Sequence, residues 1–390
     1  MHEVLERVEK LADSFEADAE NSDALGKLTD ETASNLREAG VIRLLQPIEY
    51  GGFEAHPADF LDTVMKVGSC SGSAGWVSGV VGVHPWELAL LDSAAQDEIW
   101  GQDPDTWVSS PYAPFGRARR VDGGYIFNGR WPFSTGTDHS KWIIVGGFLT
   151  DASGEVTMPP RLRHFLLPIS DYVIEEGSWD VVGLKGSGSK DVTVKDAFVP
   201  DYHVLDPEDF ADGRLARERG RDNPMYSIPF LVMFSGAIAA GTLGIAEGAL
   251  AAFIGYTRDR IGASGNKVAQ DPFQLASLGA AVADVNAGRL QLITDISRMY
   301  DDIAAGGRIT EEQRITARIN QVRSARRAVD AIDMLFAQAG GNSLRLSNPL
   351  QRFWRDMHAS MNHVCNVAEP VYQAYGHNKF GQPIAPSVIY

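Results

Sequence analysis

Residues 128–142 read NGRWPFSTGTDHSKW. The stretch begins like a strand leaving a turn, then sets Ser134, Thr135, Thr137 and Ser140 around Gly136 and an Asp138-His139 pair, with Trp131 and Trp142 at its two ends. On local composition a solvent-exposed loop accounts for it as well as a site does. What surrounds it has to decide.

Outward on both sides, from about Trp107 to Pro200, the texture is β. Turn residues at Asp122-Gly123-Gly124 and again at Asn128-Gly129 flank Tyr125, Ile126 and Phe127. Residues 142–145, 164–167, 172–174 and 192–199 read as further strands bounded by Gly, Pro, Asp or Ser. Before this region the chain is helical: Leu5, Val8, Ala12 and Phe15 recur at helical spacing, Thr29-Asp30-Glu31 looks like a helix start and Gly40 a stop. A Gly51-Gly52 turn leads to a second helix, and 69–83 is a small-residue run around Trp76. Pro and acidic residues crowd 200–229, which suggests a linker or excursion.

The last third is helical again. Leu275, Leu278, Val282 and Val285 form one apolar stripe, continued by Leu290, Ile293, Ile296, Tyr300 and Ile303. Another runs through Ile315, Ile319, Val322, Val329, Ile332 and Leu335. Gly306-Gly307 and Gly340-Gly341 at the helix ends imply a bundle. The expected fold class is α+β, with an N-terminal helical domain at 1–105, a middle β domain at 106–205 and a C-terminal helical bundle at 206–390.

A 390-residue chain, 44% hydrophobic and 22% charged, has ample material for a core. The net charge of −16 argues against nucleic acid and against anionic lipid, since both need Lys/Arg patches that the sequence lacks. Cys70 and Cys365 have no metal or CxxC spacing and read as free thiols in a reducing compartment. With no signal peptide, and with 230–246 shorter than the roughly 20 apolar residues of a span, the expectation is a cytoplasmic protein with a closely packed core helix there.

Several motifs are weak. GLKGSGSKD at 183–191 fits neither dinucleotide nor P-loop patterns and reads as a flexible loop. His358 and His363 are five apart, off the i,i+4 face of a helical metal site, so no metal is expected. Arg314, Arg318, Arg323, Arg326 and Arg327 read as the solvated or subunit-facing side of a long helix. The residues by themselves reach an apolar pocket with a few polar groups, the usual holder of a planar ligand.

Five strings in order carry a resemblance: GSAGWVSGVVGVH (72–84), VSSPYAPFG (108–116), NGRWPFSTGTDHSKW (128–142), WDVVGLKGSGSKDVTVKDAFVP (179–200) and PLQRFWRDMHASMNHV (349–364). They resemble the acyl-CoA dehydrogenase fold, with its β-barrel-like middle domain and C-terminal four-helix bundle. More closely, they are similar to the flavin-dependent monooxygenases built on it, the oxygenase halves of two-component aromatic hydroxylases such as those acting on a secosteroid phenol or on 4-hydroxyphenylacetate. The resemblance implies reduced flavin (FADH2 or FMNH2) from a separate NAD(P)H:flavin reductase and molecular oxygen as co-substrate. It also implies a small aromatic substrate, phenolic or indole-like, hydroxylated through a flavin C4a-hydroperoxide. Other chemistry on the same fold, N- or S-oxygenation or dehydrogenation, is the rival reading; a non-catalytic assembly protein is the rival of another class.

The resemblance also assigns residues. Phe133, Ser134 and Thr135 fall beside the flavin ring, with hydroxyls near N5. Trp76, Ser110, Pro111 and Tyr112 match the flavin- and substrate-facing wall. Arg258 matches a ligand of the flavin phosphate, and Gly341 and Asn342 match a segment that completes a neighbouring subunit's cofactor pocket, so a homotetramer is expected. His84 falls where a histidine contacts the substrate phenol. His363, followed by Val364, stands where acyl-CoA dehydrogenases carry their catalytic glutamate; an imidazole there argues against α-proton abstraction from a thioester. The family tends to have an aromatic or small residue where Pro132 and Phe133 stand, a departure that bears on the substrate more than on the reaction.

Overall fold

The computed structural model describes residues 2–210, 213–262 and 265–385. Six helices lead: α1 (Glu3–Lys10), α2 (Ala12–Leu25), α3 (Asp30–Ala39), α4 (Pro57–Cys70), α5 (Gly72–Leu88) and α6 (Ser93–Trp100). Thr29 caps α3 by accepting the Thr32 N–H, and Gly40 ends it at φ 83°. Every residue of α5 is buried, the pattern of a helix apolar all round. It crosses α4 at backbone contact: a Cβ on Gly75 would lie 2.2 Å from the Gly68 Cα, so any larger residue would prise the helices apart.

The strands are β1 (Val108–Ser109), β2 (Gly116–Val121), β3 (Gly124–Ser134), β4 (Trp142–Thr150), β5 (Leu162–Pro168), β6 (Tyr172–Glu175), β7 (Lys190–Pro200) and β8 (Val204–Leu205). They form one sheet in the order β6-β7-β3-β2-β4-β5-β8, with β1 pairing β4. Phe127 of β3 stacks on Phe165 of β5 at 4.2 Å although these strands are three apart, so the sheet bends over a core of its own.

The expected turn at Asn128-Gly129 is not one. β3 runs on through it with a bulge against β7, where the Asn128 amide oxygen accepts the Asp196 N–H. Gly129 is there for packing: a Cβ would meet the Trp131 indole at 2.4 Å. The 183–191 segment is a second correction. It holds a short 3₁₀ turn at Lys185–Ser187 and enters β7, with Ser187 and Ser189 buried, and Leu184 N–H bonds the buried Asp356 carboxylate. It braces the site and is no flexible loop.

After β8 come α7 (Arg214–Glu218), α8 (Phe230–Arg258), α9 (Pro272–Ala304), α10 (Glu311–Gln338), α11 (Pro349–Ser360) and α12 (Glu369–Lys379). The 200–229 region is an excursion: it seats Phe210, Met225 and Tyr226 in the core, and Trp86 Nε1–H donates to the Met225 carbonyl at 2.6 Å. The apolar helix α8 has 78% of its most hydrophobic window buried, against α4, α5, α10 and α11. Helices from both ends of the chain therefore share one core. Of the expected α9 stripe, Val285 and Ile296 are buried, whereas Leu275 and Leu290 are exposed on this chain. Arg318 is a third correction: it is 1% exposed, turned inward on α10 away from solvent.

Candidate active site

The site is built where α5, the segment after β1, the end of β3 and the corner after α11 meet. On α5, His84 is 1% exposed. Its Nδ1 lies 2.5 Å from the Val108 carbonyl and its Nε2 2.7 Å from the Ser110 hydroxyl. A carbonyl only accepts, so Nδ1 carries the proton, and Nε2 offers a lone pair to which Ser110 O–H donates. Burial pushes the His84 pKa down to about 4, so the ring is neutral at pH 7. Tyr112 packs edge-on to His84 at 5.7 Å and to Phe234 of α8 at 5.3 Å.

Across Phe234 stands His363, 5.8 Å away and edge-on to Trp76 at 5.7 Å. Here Nδ1 accepts the Cys365 N–H at 3.2 Å, so the neutral ring carries its proton on Nε2. Burial, then the Arg318 charge, pushes this pKa down to about 4. Arg318 donates to the Cys365 carbonyl at 2.8 Å and to Gln321 at 2.7 Å. His363 and Arg318 thus hold the same residue by its N–H and its C=O. Among the described residues no carboxylate pairs with this buried guanidinium, and its Nε has no partner.

The opening stretch joins the same region. Phe133 sits at φ 69° in a second β3 bulge, turning the chain so that Ser134 and Thr135 point inward. Ser134 O–H donates to Ser109 Oγ at 3.3 Å, next to Ser110, and Thr135 shares a 2.9 Å hydrogen bond with Ser189. Gly136 lies against Val77 and Val81 of α5. Phe133 keeps 64% of its surface exposed, edge-on to Trp179. Pro111 is buried behind the wall, its carbonyl taking the Gly146 N–H, and Val364 is exposed beside His363.

The structure therefore brings together Trp76, His84, Ser110, Tyr112, Ser134, Thr135 and His363. It does not bring in Arg258, Gly341 or Asn342. Arg258 is exposed at the far end of α8, and Asn342 lines a cavity of about 470 Å³ with Ala252, Gly255, Tyr256, Ser347, Asn348 and Pro349. At 1.5 Å per residue, Ala252 is roughly 27 Å along α8 from Phe234. Sequence reasoning missed Glu87, His164, Phe234 and Arg318. Glu87 had a signal: it is the one acidic residue of α5, three residues after His84. Arg318 had one too, since it falls on the Ile315–Val322–Val329 stripe.

With this geometry in hand, likeness to known proteins is specific. Residues 236–367 match the acyl-CoA dehydrogenase C-terminal domain family. A pigment production hydroxylase of Rhodococcus erythropolis is 47% identical over 97% of each chain. The crystal structure of the HsaA monooxygenase of Mycobacterium tuberculosis, 39% identical, superposes with a TM-score of 0.93 over 99% of both chains. XiaF from Streptomyces, solved with FADH2 and glycerol, is 25% identical and superposes at 0.90 over 99% of this chain and 97% of its own. The chain belongs to the oxygenase components of the two-component flavin-dependent monooxygenases, on the acyl-CoA dehydrogenase fold.

Proposed function

We propose that the chain hydroxylates a phenol held between the His84–Ser110 side and the His363 side of the aromatic wall. It acts on an aromatic substrate with reduced flavin supplied by a separate reductase. The observation that supports the phenol reading is the fixed His84 tautomer. Because Ser110 spends its proton on Nε2, its oxygen is free to accept from a substrate hydroxyl.

The residues present fit a flavin. Phe133 leaves an uncovered aromatic face beside the buried Ser134 and Thr135 hydroxyls, and a planar ring with a polar edge would cover it. When bound, the reduced flavin activates molecular oxygen and supplies the electrophilic oxygen atom. Ser134 and Thr135 would line its polar edge, and Trp76, Tyr112 and Phe234 would keep water out. His363 presents an Nε2–H donor from the opposite wall. His84 orients Ser110. It is a poor final acceptor for a phenol proton, since a pKa of about 4 against one near 10 leaves roughly 8 kcal/mol uphill.

The far end of α8 completes the reading. Arg258, Gly341 and Asn342 lie too far along the helix to serve this chain's own pocket, so they serve a neighbour's, with Arg258 taking a flavin phosphate. Exposed Leu344 and Leu346, 67% and 74% accessible, give that end an apolar surface to cover. The assembly proposed with this reading is a closed homotetramer, in the cytoplasm.

The test is an anaerobic titration with chemically reduced flavin, then admission of air with a panel of phenols. The expected result is tighter binding of reduced than oxidised flavin and a catechol from at least one phenol. Flavin oxidation at its free-solution rate, with no product from any phenol, would sink the proposal.

A further inference from the structure

The segment that enters β7 is held from behind by two neighbouring residues of α11. The Arg355 guanidinium donates to the Val182 carbonyl at 2.5 Å and to Asp23 of α2 at 3.1 Å. The Asp356 carboxylate, 1% exposed, accepts the Leu184 N–H at 2.6 Å, and its other oxygen lies against Gly72 at the start of α5. Between these two contacts Gly183 rests on the helix backbone itself: a Cβ there would sit 2.2 Å from the Arg355 carbonyl oxygen. Val182, Gly183 and Leu184 are thus each fixed to the same short piece of one helix. Leu184 is buried at φ 55°, a left-handed conformation that a non-glycine residue keeps only where its surroundings impose it.

From this corner an unbroken series of hydrogen bonds runs to the site. The Leu184 carbonyl accepts from Trp179 Nε1–H at 3.2 Å and from the Ser187 N–H at 3.0 Å. The Ser187 carbonyl takes the Gly136 N–H at 3.0 Å. Its hydroxyl shares a 2.8 Å bond with Ser189, which holds Thr135. The turn has little room to shift, since a Cβ on Gly186 would meet Ser22 of α2 at 2.9 Å and Ser73 of α5 at 3.0 Å. Trp179, anchored at the same corner, is the ring that meets Phe133 edge-on.

We propose that Arg355 and Asp356 are positioning residues for the flavin-facing end of β3: by pinning 182–184 to α11 they set where Thr135, Gly136 and Trp179 stand. This rests on the reading above that Ser134 and Thr135 line the polar edge of the flavin. The same helix ends at Ser360, three residues before His363, so one rigid element sets the flavin edge and the opposite wall relative to each other. Such spacing matters because catalytic groups displaced by about 1 Å lose much of their effect. Burial pushes the Asp356 pKa up to about 7, against the pull of the Leu184 N–H. Carboxyl and carboxylate both keep an oxygen that accepts from Leu184, and an asparagine supplies one as well.

The experiment compares the full chain with three variants. Asp356→Ala removes the acceptor for Leu184, Asp356→Asn keeps an oxygen in its place, and Arg355→Ala releases Val182. Three quantities are read: binding of anaerobically reduced FAD or FMN, product per oxygen consumed, and the apparent KM for a phenol at saturating reduced flavin. Asp356→Ala should weaken reduced-flavin binding about tenfold and lower product per oxygen by as much, with the phenol KM unchanged. Asp356→Asn should recover most of both losses, and Arg355→Ala should show smaller losses of the same kind. Adding Thr135→Ala to Asp356→Ala should lower product per oxygen no further, because both changes act through one hydroxyl. Unchanged flavin binding and yield in Asp356→Ala would overturn the proposal. So would losses that add in the double variant, or a phenol KM that rises in step with the flavin loss, the mark of general loosening. If Asp356→Ala does not fold, Arg355→Ala decides by the same readouts. Failure of the flavin-edge reading is distinct: Thr135→Ala alone would then keep the wild-type yield, and the proposal would fall with it.

Discussion

His84 and His363 stand on opposite sides of one aromatic wall, and they are fixed in opposite hydrogen-bonding states. His84 is locked inside: α5 carries it, the Val108 carbonyl takes its Nδ1 proton, and Nε2 is left as an acceptor. His363 sits at a corner beside exposed Val364, where the Cys365 N–H claims Nδ1 and leaves Nε2–H as a donor. Burial makes both rings neutral. The backbone partner then decides which nitrogen carries the proton. One residue type thereby supplies an acceptor on one wall and a donor on the other, without a charge on either.

The strongest way to break this pairing is His84→Asn. With Ser110 no longer held in place, coupled hydroxylation at neutral pH should fall by about 10²-fold, with most of the oxygen recovered as hydrogen peroxide and part of the loss regained at high pH, where the phenol ionises unaided. The ratio of catechol to peroxide measures it, and an unchanged ratio would remove His84 from the site.

Acid stability sharpens the burial half of the comparison. A pKa of about 4 in the folded protein against 6.5 unfolded means the unfolded chain takes up a proton that the folded one refuses. The His84 contribution is complete above pH 6.5 and is lost as pH falls through 4, by roughly 3 kcal/mol. Urea unfolding of wild type and His84→Gln at both pH values should therefore show the variant gaining on wild type at the acid end. A constant difference would mean that His84 is not buried neutral.

Arg318→Met tests the other wall. Removing the guanidinium leaves the Cys365 carbonyl without its donor and lifts a positive charge from His363, so the His363 titration followed by proton NMR should move up from about 4 toward 6.5. An unmoved titration would leave burial as the whole cause. The smallest effect is expected from Ser134→Ala with Thr135→Ala: about 1 kcal/mol, or a few-fold less product per oxygen consumed, with reduced-flavin binding unchanged.

How much of this was legible in the sequence varies with the kind of signal. Helix starts and stops at Thr29 and Gly40, and the Asp122-Gly123-Gly124 turn, are local and could be read directly. Asn128-Gly129 misled because a glycine required by the Trp131 ring looks the same as one required by a turn. Arg318 reads as solvated or subunit-facing because charge is the surface rule, and only tertiary packing shows it beneath Cys365. The clustering of His84, Ser110, Ser134 and His363 came from resemblance; their partners, Val108 and Cys365, act through backbone atoms, which side-chain identity does not reveal. The distance of Arg258 and Asn342 from that cluster follows from helix length, once α8 is known to be unbroken.

The most direct test of the account is isotopic. Wild-type protein, chemically reduced flavin and a phenol are mixed under oxygen-18 gas, and the product is weighed by mass spectrometry. The account predicts a catechol carrying a single heavy oxygen atom from the gas. A product whose new oxygen comes from water, or no product while all consumed oxygen appears as hydrogen peroxide, would contradict it.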